Sequence, residues 1–211
     1  MLAVAAWGAM LQHRAAGAGH ETLPRPGNLA WVYLPLLLME WGLVLYVVRG
    51  GARAGTSVRD LIGGRWARPM DVARDLLLAA GIWGVWTLAS LGIDHVLAAD
   101  HAASPRSLLP HRPLEILMWI ALSLSAGFSE ELVFRGYFQS QFLAFTHRIA
   151  FAVALQAALF GITHGYQGVR ACATITLYGV IMGVVAARRK SLRPGMIAHA
   201  WTDIASGIFR I

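Results

Sequence analysis

The 211-residue sequence predicts an all-α, polytopic transmembrane bundle of about six to eight helices. Three observations carry that prediction. Hydrophobic residues make up 57% of the chain and charged residues only 14%, whereas soluble domains carry roughly 25% charged residues. The mean hydropathy is +0.55. Apolar stretches near the ~20 residues that a helix needs to cross ~30 Å of hydrocarbon recur along the chain, with arginines in short clusters between them. A soluble fold would leave most of this apolar surface with nowhere to go.

Taken in order, Leu2–Leu11 is short for a span and lacks the basic flank of a signal peptide, so it reads as a terminal membrane helix. Spans are expected at 29–48, 75–97, 114–143, 149–165, 171–187 and 192–209. The 114–143 stretch is long enough to tilt, or to bend near Gly127 or Gly136. The 49–74 loop holds Trp66, Pro69, Asp60 and Asp71 among its arginines and is expected to lie along the membrane surface. His95, His101 and His111 fall in the loop on the opposite side and read as solvated residues. Residues 1–211 read as one membrane domain, with 1–113 carrying only a generic membrane signal.

The net charge of +7 raises the possibility of nucleic-acid binding. The basic residues do not line one face or one tail, however, so no nucleic-acid partner is expected. They act instead as topology signals. Alternate loops place eleven Arg and Lys residues on one side, in the 49–74 loop, at Arg148 and at Arg188–Arg193, against five on the other. The richer side is then cytoplasmic. The single cysteine, Cys172, excludes a disulfide framework and a Cys-based zinc site.

The polar residues left inside apolar stretches are Glu40, Glu130, Glu131, Arg135, Gln156, His164, His199 and Asp203. Ionisable groups at membrane depth cost a few kcal/mol each even on lenient scales, and they mark function or pairing. Glu131 and Arg135 are four apart, share a helix face and can pair. Glu130 points about 100° away from Glu131, which leaves one acid structural and the other available as a base. Phe160 and His164 are four apart, as are His199 and Asp203, so each pair also shares a face. Spacing fixes faces within helices but not between them. Gln156 is expected to hydrogen-bond a neighbouring helix, and Glu40 is expected to be a packing or partner contact.

Glu130-Glu131-x-x-x-Arg135, Phe160-x-x-x-His164 and His199-x-x-x-Asp203, with Phe134-Arg135-Gly136 and Pro194-Gly195 beside them, resemble the three motifs of the CAAX protease and bacteriocin-processing family of intramembrane proteases. That family includes the type II CAAX prenyl endopeptidases. The resemblance covers residues 114–207. It implies a peptide-bond hydrolase working within the bilayer on a membrane-associated peptide or protein. By the same resemblance Glu130 activates the water, His164 helps to hold or deprotonate it, His199 and residue 203 stabilise the oxyanion, and Glu131, Arg135 and Phe160 support them.

Glu130, His164 and His199 are also a chemically sensible zinc set, but the sequence has no His-Glu-x-x-His helix. A metal-free, glutamate-activated water accounts for the same residues and is the preferred reading, with no cofactor required. The family's last motif usually ends in Asn, and here the residue is Asp203. An ionised aspartate would repel an oxyanion, so Asp203 is protonated, or orients His199, or binds a cation. Two other function classes use similar residues. A proton-coupled transporter predicts inverted repeats with broken helices, which the sequence does not have. A non-catalytic scaffold or immunity protein predicts a lost motif, and all three are present. Seventeen Arg against one Lys suggests a bacterial inner membrane as the location. Substrate identity and oligomeric state are not encoded in these patterns.

Overall fold

A computed structural model of the chain describes residues 33–96 and 109–209. Leu2–Leu11 and His101 lie outside the described residues. Among those described, the chain is all-α, with no strand. Its helices are α1 (Leu34–Arg53), α2 (Val58–Ile62), α3 (Pro69–Val96), α4 (Pro113–Glu131), α5 (Gln139–Thr146), α6 (Ile149–Thr163), α7 (Val169–Arg189) and α8 (Arg193–Phe209). A π-helical stretch, Leu132–Phe138, joins α4 to α5. By length and composition four helices are able to cross a membrane: Leu34–Arg53, Pro69–Ile93, Pro113–Thr146 and Val169–Arg189. The two remaining expected spans form shorter helices, α6 of 15 residues and α8 of 17.

Two boundaries differ from the sequence expectation, each for a local reason. α3 begins at Pro69 rather than near 75. Asp71 in its first turn accepts the Ala67 and Arg68 backbone N–H groups at 3.1 Å each, and Pro69 suits a first helical position, where its missing N–H costs nothing. The expected surface loop 49–74 contains α2, opened by a capping box. The Asp60 N–H donates to Ser57 Oγ at 3.2 Å, and the Ser57 N–H donates to Asp60 Oδ2 at 3.0 Å. The Ser57 hydroxyl, which donates to Asp60 Oδ2 at 2.6 Å, and after it the Ser57 N–H hold the exposed Asp60 carboxyl below the usual carboxylate range.

This segment is tied to the α7–α8 turn. The Leu192 N–H donates to the Ile62 carbonyl at 3.0 Å. Arg193 bonds the carbonyls of Gly63 and Gly64 and lies over the Trp66 ring, 5.1 Å from its centre. Asp75, fully buried, accepts from Trp66 Nε1 and Arg189 Nε at 2.8 Å each. A buried carboxylate is tolerated because both its oxygens are satisfied and a guanidinium neutralises it. The arginines that flank the α7–α8 turn thus anchor the start of α8 in a fixed place.

The long rod Pro113–Thr146 does not break at Gly127 or Gly136; it widens into the π stretch, which contains Gly136. π turns occur mostly as single insertions at functional sites, and this one directly follows Glu131. α4 packs along α8, and α6 along α7. Gln156, buried in α6, donates to the Gly179 carbonyl of α7 at 2.9 Å, as expected of an intramembrane amide. The apolar core gathers Phe134, Phe160, Tyr178, Met182 and Leu132, each at most 4% exposed. It surrounds the polar residues of α4, α6 and α8.

Candidate active site

The three motif pairs that share helix faces all meet in space. Arg135 Nη1 donates to Glu131 Oε1 at 2.7 Å, with both side chains out of contact with solvent. The Asp203 Oδ2 atom lies 3.6 Å from His199 Nε2. The Phe160 and His164 rings meet edge to face, 4.9 Å between centres.

Contacts between helices complete the cluster, and these the spacing did not fix. Glu131 Oε1 also receives His199 Nδ1 at 3.1 Å, so one carboxylate oxygen binds the arginine of its own rod and the histidine of α8. The carboxylate accepts, so Nδ1 carries a proton. The other ring nitrogen, Nε2, faces Glu130 Oε2 at 3.8 Å and Asp203 Oδ2 at 3.6 Å, both beyond hydrogen-bond reach. Glu130 is the more accessible of the two glutamates, at 21% side-chain exposure against 1% for Glu131. Burial separates the two: Glu131 is anchored inside, whereas the Glu130 side chain is partly open and its Oε2, beside His199, is buried with no hydrogen-bond partner among the described residues.

On α6, His164 Nδ1 lies 2.9 Å from the Phe160 carbonyl oxygen. A carbonyl only accepts, so Nδ1 donates, and Nε2 is the basic nitrogen of the neutral ring. Phe160 is the common support. Its ring packs edge to face on His164 and His199, at 4.9 and 5.9 Å between centres, while the Arg135 guanidinium lies 4.3 Å above it. A single aromatic side chain thus holds the two histidines and the arginine in register.

Several supporting residues were not singled out from the sequence. Tyr178 packs edge to face on His199 at 6.0 Å. Its hydroxyl lies 3.2 Å from Thr202 Oγ1, and since Thr202 donates to the Ala198 carbonyl, Tyr178 is the donor of that bond. Trp119 Nε1 donates to the Asp203 carbonyl at 2.8 Å and ties α8 to α4. Gly195 passes directly over Glu131; a Cβ there would stand 2.7 Å from Glu131 Oε2. That contact gives a physical reason for the Pro194-Gly195 pair before His199, although the pair alone could not have said which residue it covers. Glu40, expected to be a packing contact, is buried at 6% exposure and accepts from Ser125 Oγ at 2.7 Å.

Among the described residues no group of three or more His, Cys, Asp and Glu side chains is disposed to hold a metal ion. Glu130, His164 and His199 do not form such a group.

The fold and this cluster define a multi-pass, all-α membrane protein built around a buried acid and histidine site. Residues 112–205, a little under half of the chain, match the family model described as Type II CAAX prenyl endopeptidase Rce1-like. No curated protein and no solved structure matches the chain. The matched segment contains α4 to α7, with the π stretch, and the motif residues of α8, and it leaves out α1 to α3.

Proposed function

We propose that the chain is an intramembrane endopeptidase that hydrolyses a peptide bond of a membrane-associated peptide or protein through a glutamate-activated water. The observation that carries this reading is the two-sided environment of His199. One nitrogen is anchored on the Glu131–Arg135 pair, and the other is turned towards Glu130 and Asp203. Glu130 takes a proton from water, and the oxygen attacks the carbonyl carbon, with His164 Nε2 helping to orient the water. The developing oxyanion is stabilised by His199 as an imidazolium, whose Nε2–H faces it while Nδ1–H stays on Glu131. Glu130 then returns its proton to the departing nitrogen, which leaves as an amine, and the other product is a carboxylic acid.

Asp203 in this scheme is the carboxylate partner that turns His199, supported by its 3.6 Å approach to Nε2 and by the Trp119 bond to its carbonyl. Asparagine at that position keeps the shape and removes the charge that competes for Nε2. Asp203→Asn is therefore expected to keep kcat/KM within about tenfold of the wild type. Glu130→Ala is expected to lose about three orders of magnitude in kcat, the usual contribution of a positioned base. Both are measured on purified protein with internally quenched peptides that end either in a prenylated CAAX sequence or in an unmodified apolar sequence. An active Glu130→Ala enzyme would sink the mechanism. Stoichiometric zinc in the wild type that is lost in His164→Ala and His199→Ala would overturn the metal-free route.

The natural substrate is a protein cut near its terminus or next to the membrane, in a bacterial inner membrane whose cytoplasmic face carries the basic 49–74 and 188–193 segments. Membrane proteomes of cells with wild type and with Glu130→Ala identify it as the protein that keeps an uncut terminus.

A further inference from the structure

Glu40 lies on α1, some seventy residues before the segment that matches the protease family. Its neighbour Trp41 stacks on Phe128 of α4, 6.0 Å between ring centres and 22° between planes, which presses this turn of α1 against the turn that carries Glu130. Glu40 is 6% exposed, and Ser125 Oγ, on the same helix as both motif glutamates, donates to its Oε2 at 2.7 Å. From α4 it faces Glu130, and from α8 it faces His199 and Asp203, all within electrostatic reach. Glu131 and Arg135 meet that group at the far nitrogen of His199. Tyr137 of the π stretch packs on Tyr46, nearly two turns further along α1. Among the described residues Glu40 has no cationic ion-pair partner.

An acid buried in an apolar span without a cation is expensive. A leucine would fill the same space at no such cost, and one hydroxyl bond from Ser125 does not account for the acid. What distinguishes the position is its company, the acids and the histidine of the site.

We propose that Glu40 is a further acidic member of the active site, a positioning residue that acts on Glu130, His199 and Asp203 through the Ser125 bond and through space. The catalytic unit then includes α1, although the family match begins at residue 112. This inference rests on the peptidase reading above.

The test compares Glu40→Leu, Glu40→Gln and the wild type with the same quenched peptides, alongside thermal unfolding and the ring-nitrogen NMR signals of His199, assigned by their loss in His199→Gln. Glu40→Leu is expected to unfold at no lower temperature than the wild type, because it removes a buried acid. Its kcat is expected to fall about tenfold or more with KM within about twofold. Glu40→Gln, which keeps an acceptor for Ser125, recovers part of that loss. The His199 signals of Glu40→Leu are displaced from those of the wild type at the same pH. Unchanged kcat in a folded Glu40→Leu protein, or His199 signals that coincide with the wild type, overturns the proposal. A wild type that cuts neither peptide counts against the peptidase reading, and the His199 signals then decide the role of Glu40 by themselves. If Glu40→Leu does not fold, the same signals read from Glu40→Gln decide it.

Discussion

Arg135→Met is expected to destabilise the protein by about 3–5 kcal/mol, the usual cost of removing one partner of a buried ion pair, and to abolish activity. Arg135 is 3% exposed and Glu131 1%, and their 2.7 Å contact lies where no water screens it. Without the guanidinium, Glu131 keeps only the bond from His199, and its charge is left buried beside an apolar core. Phe160 also loses the cation above its ring, and with it one of the contacts that hold the two histidines. Lysine is not a substitute, because a point charge cannot lie flat over Phe160 while it donates to Glu131. The measurement is thermal unfolding in detergent micelles, followed by circular dichroism. The double variant Arg135→Met/Glu131→Gln is expected to recover most of the stability, since no uncompensated charge remains, and none of the activity, since His199 has lost its anchor. A single variant as stable as the wild type would mean that the pair is not the electrostatic anchor of the site.

The spacing of residues foretold what helical geometry controls, and little beyond it. Glu131 with Arg135, Phe160 with His164, and His199 with Asp203 share faces because each pair is four residues apart, and all three pairs meet as expected. The contacts that turn three pairs into one cluster cross between helices: Glu131 to His199, Arg135 over Phe160, Trp119 to the Asp203 carbonyl. No periodicity encodes those, because the rotation of one helix against another is set by packing. The π stretch was invisible for a related reason. Leu132–Phe138 reads as an ordinary apolar turn, and the extra residue in it is accommodated by the neighbouring helices rather than by a local signal. The α2 segment was legible in principle. Ser57-x-x-Asp60 is a capping pattern, but the arginines around it made composition, not capping, the louder signal. Glu40 belongs to no motif, and spacing could not show that it is buried against Ser125 of α4 from a helix outside the matched segment.

The close approach of α4 and α8 sets the distance between the motif glutamates and His199, and at Gly127 the α4 backbone lies directly against that of α8. A Cβ at Gly127 would stand 2.8 Å from the Met196 carbonyl oxygen and 2.9 Å from Ala200 Cβ. The Met196 oxygen is backbone and cannot rotate away, so a side chain there must push the helices apart. Gly127 lies one turn before Glu130 and Glu131, and Met196 lies one turn before His199, so the displacement falls on the 3.1 Å bond between Glu131 and His199. A shift of about 1 Å in such a constellation costs on the order of a hundredfold in rate. Gly127→Val is accordingly expected to lower kcat by about two orders of magnitude, with a milder loss in Gly127→Ala, both read with the quenched peptides. Ala200→Gly, added to Gly127→Ala, removes one of the three clashes, that with the Ala200 Cβ, and is expected to restore part of the rate, whereas the same change in the wild type restores nothing. A folded Gly127→Val protein with wild-type kcat would mean that α4 and α8 are held apart elsewhere, and that the grip of Glu131 on His199 does not depend on this crossing.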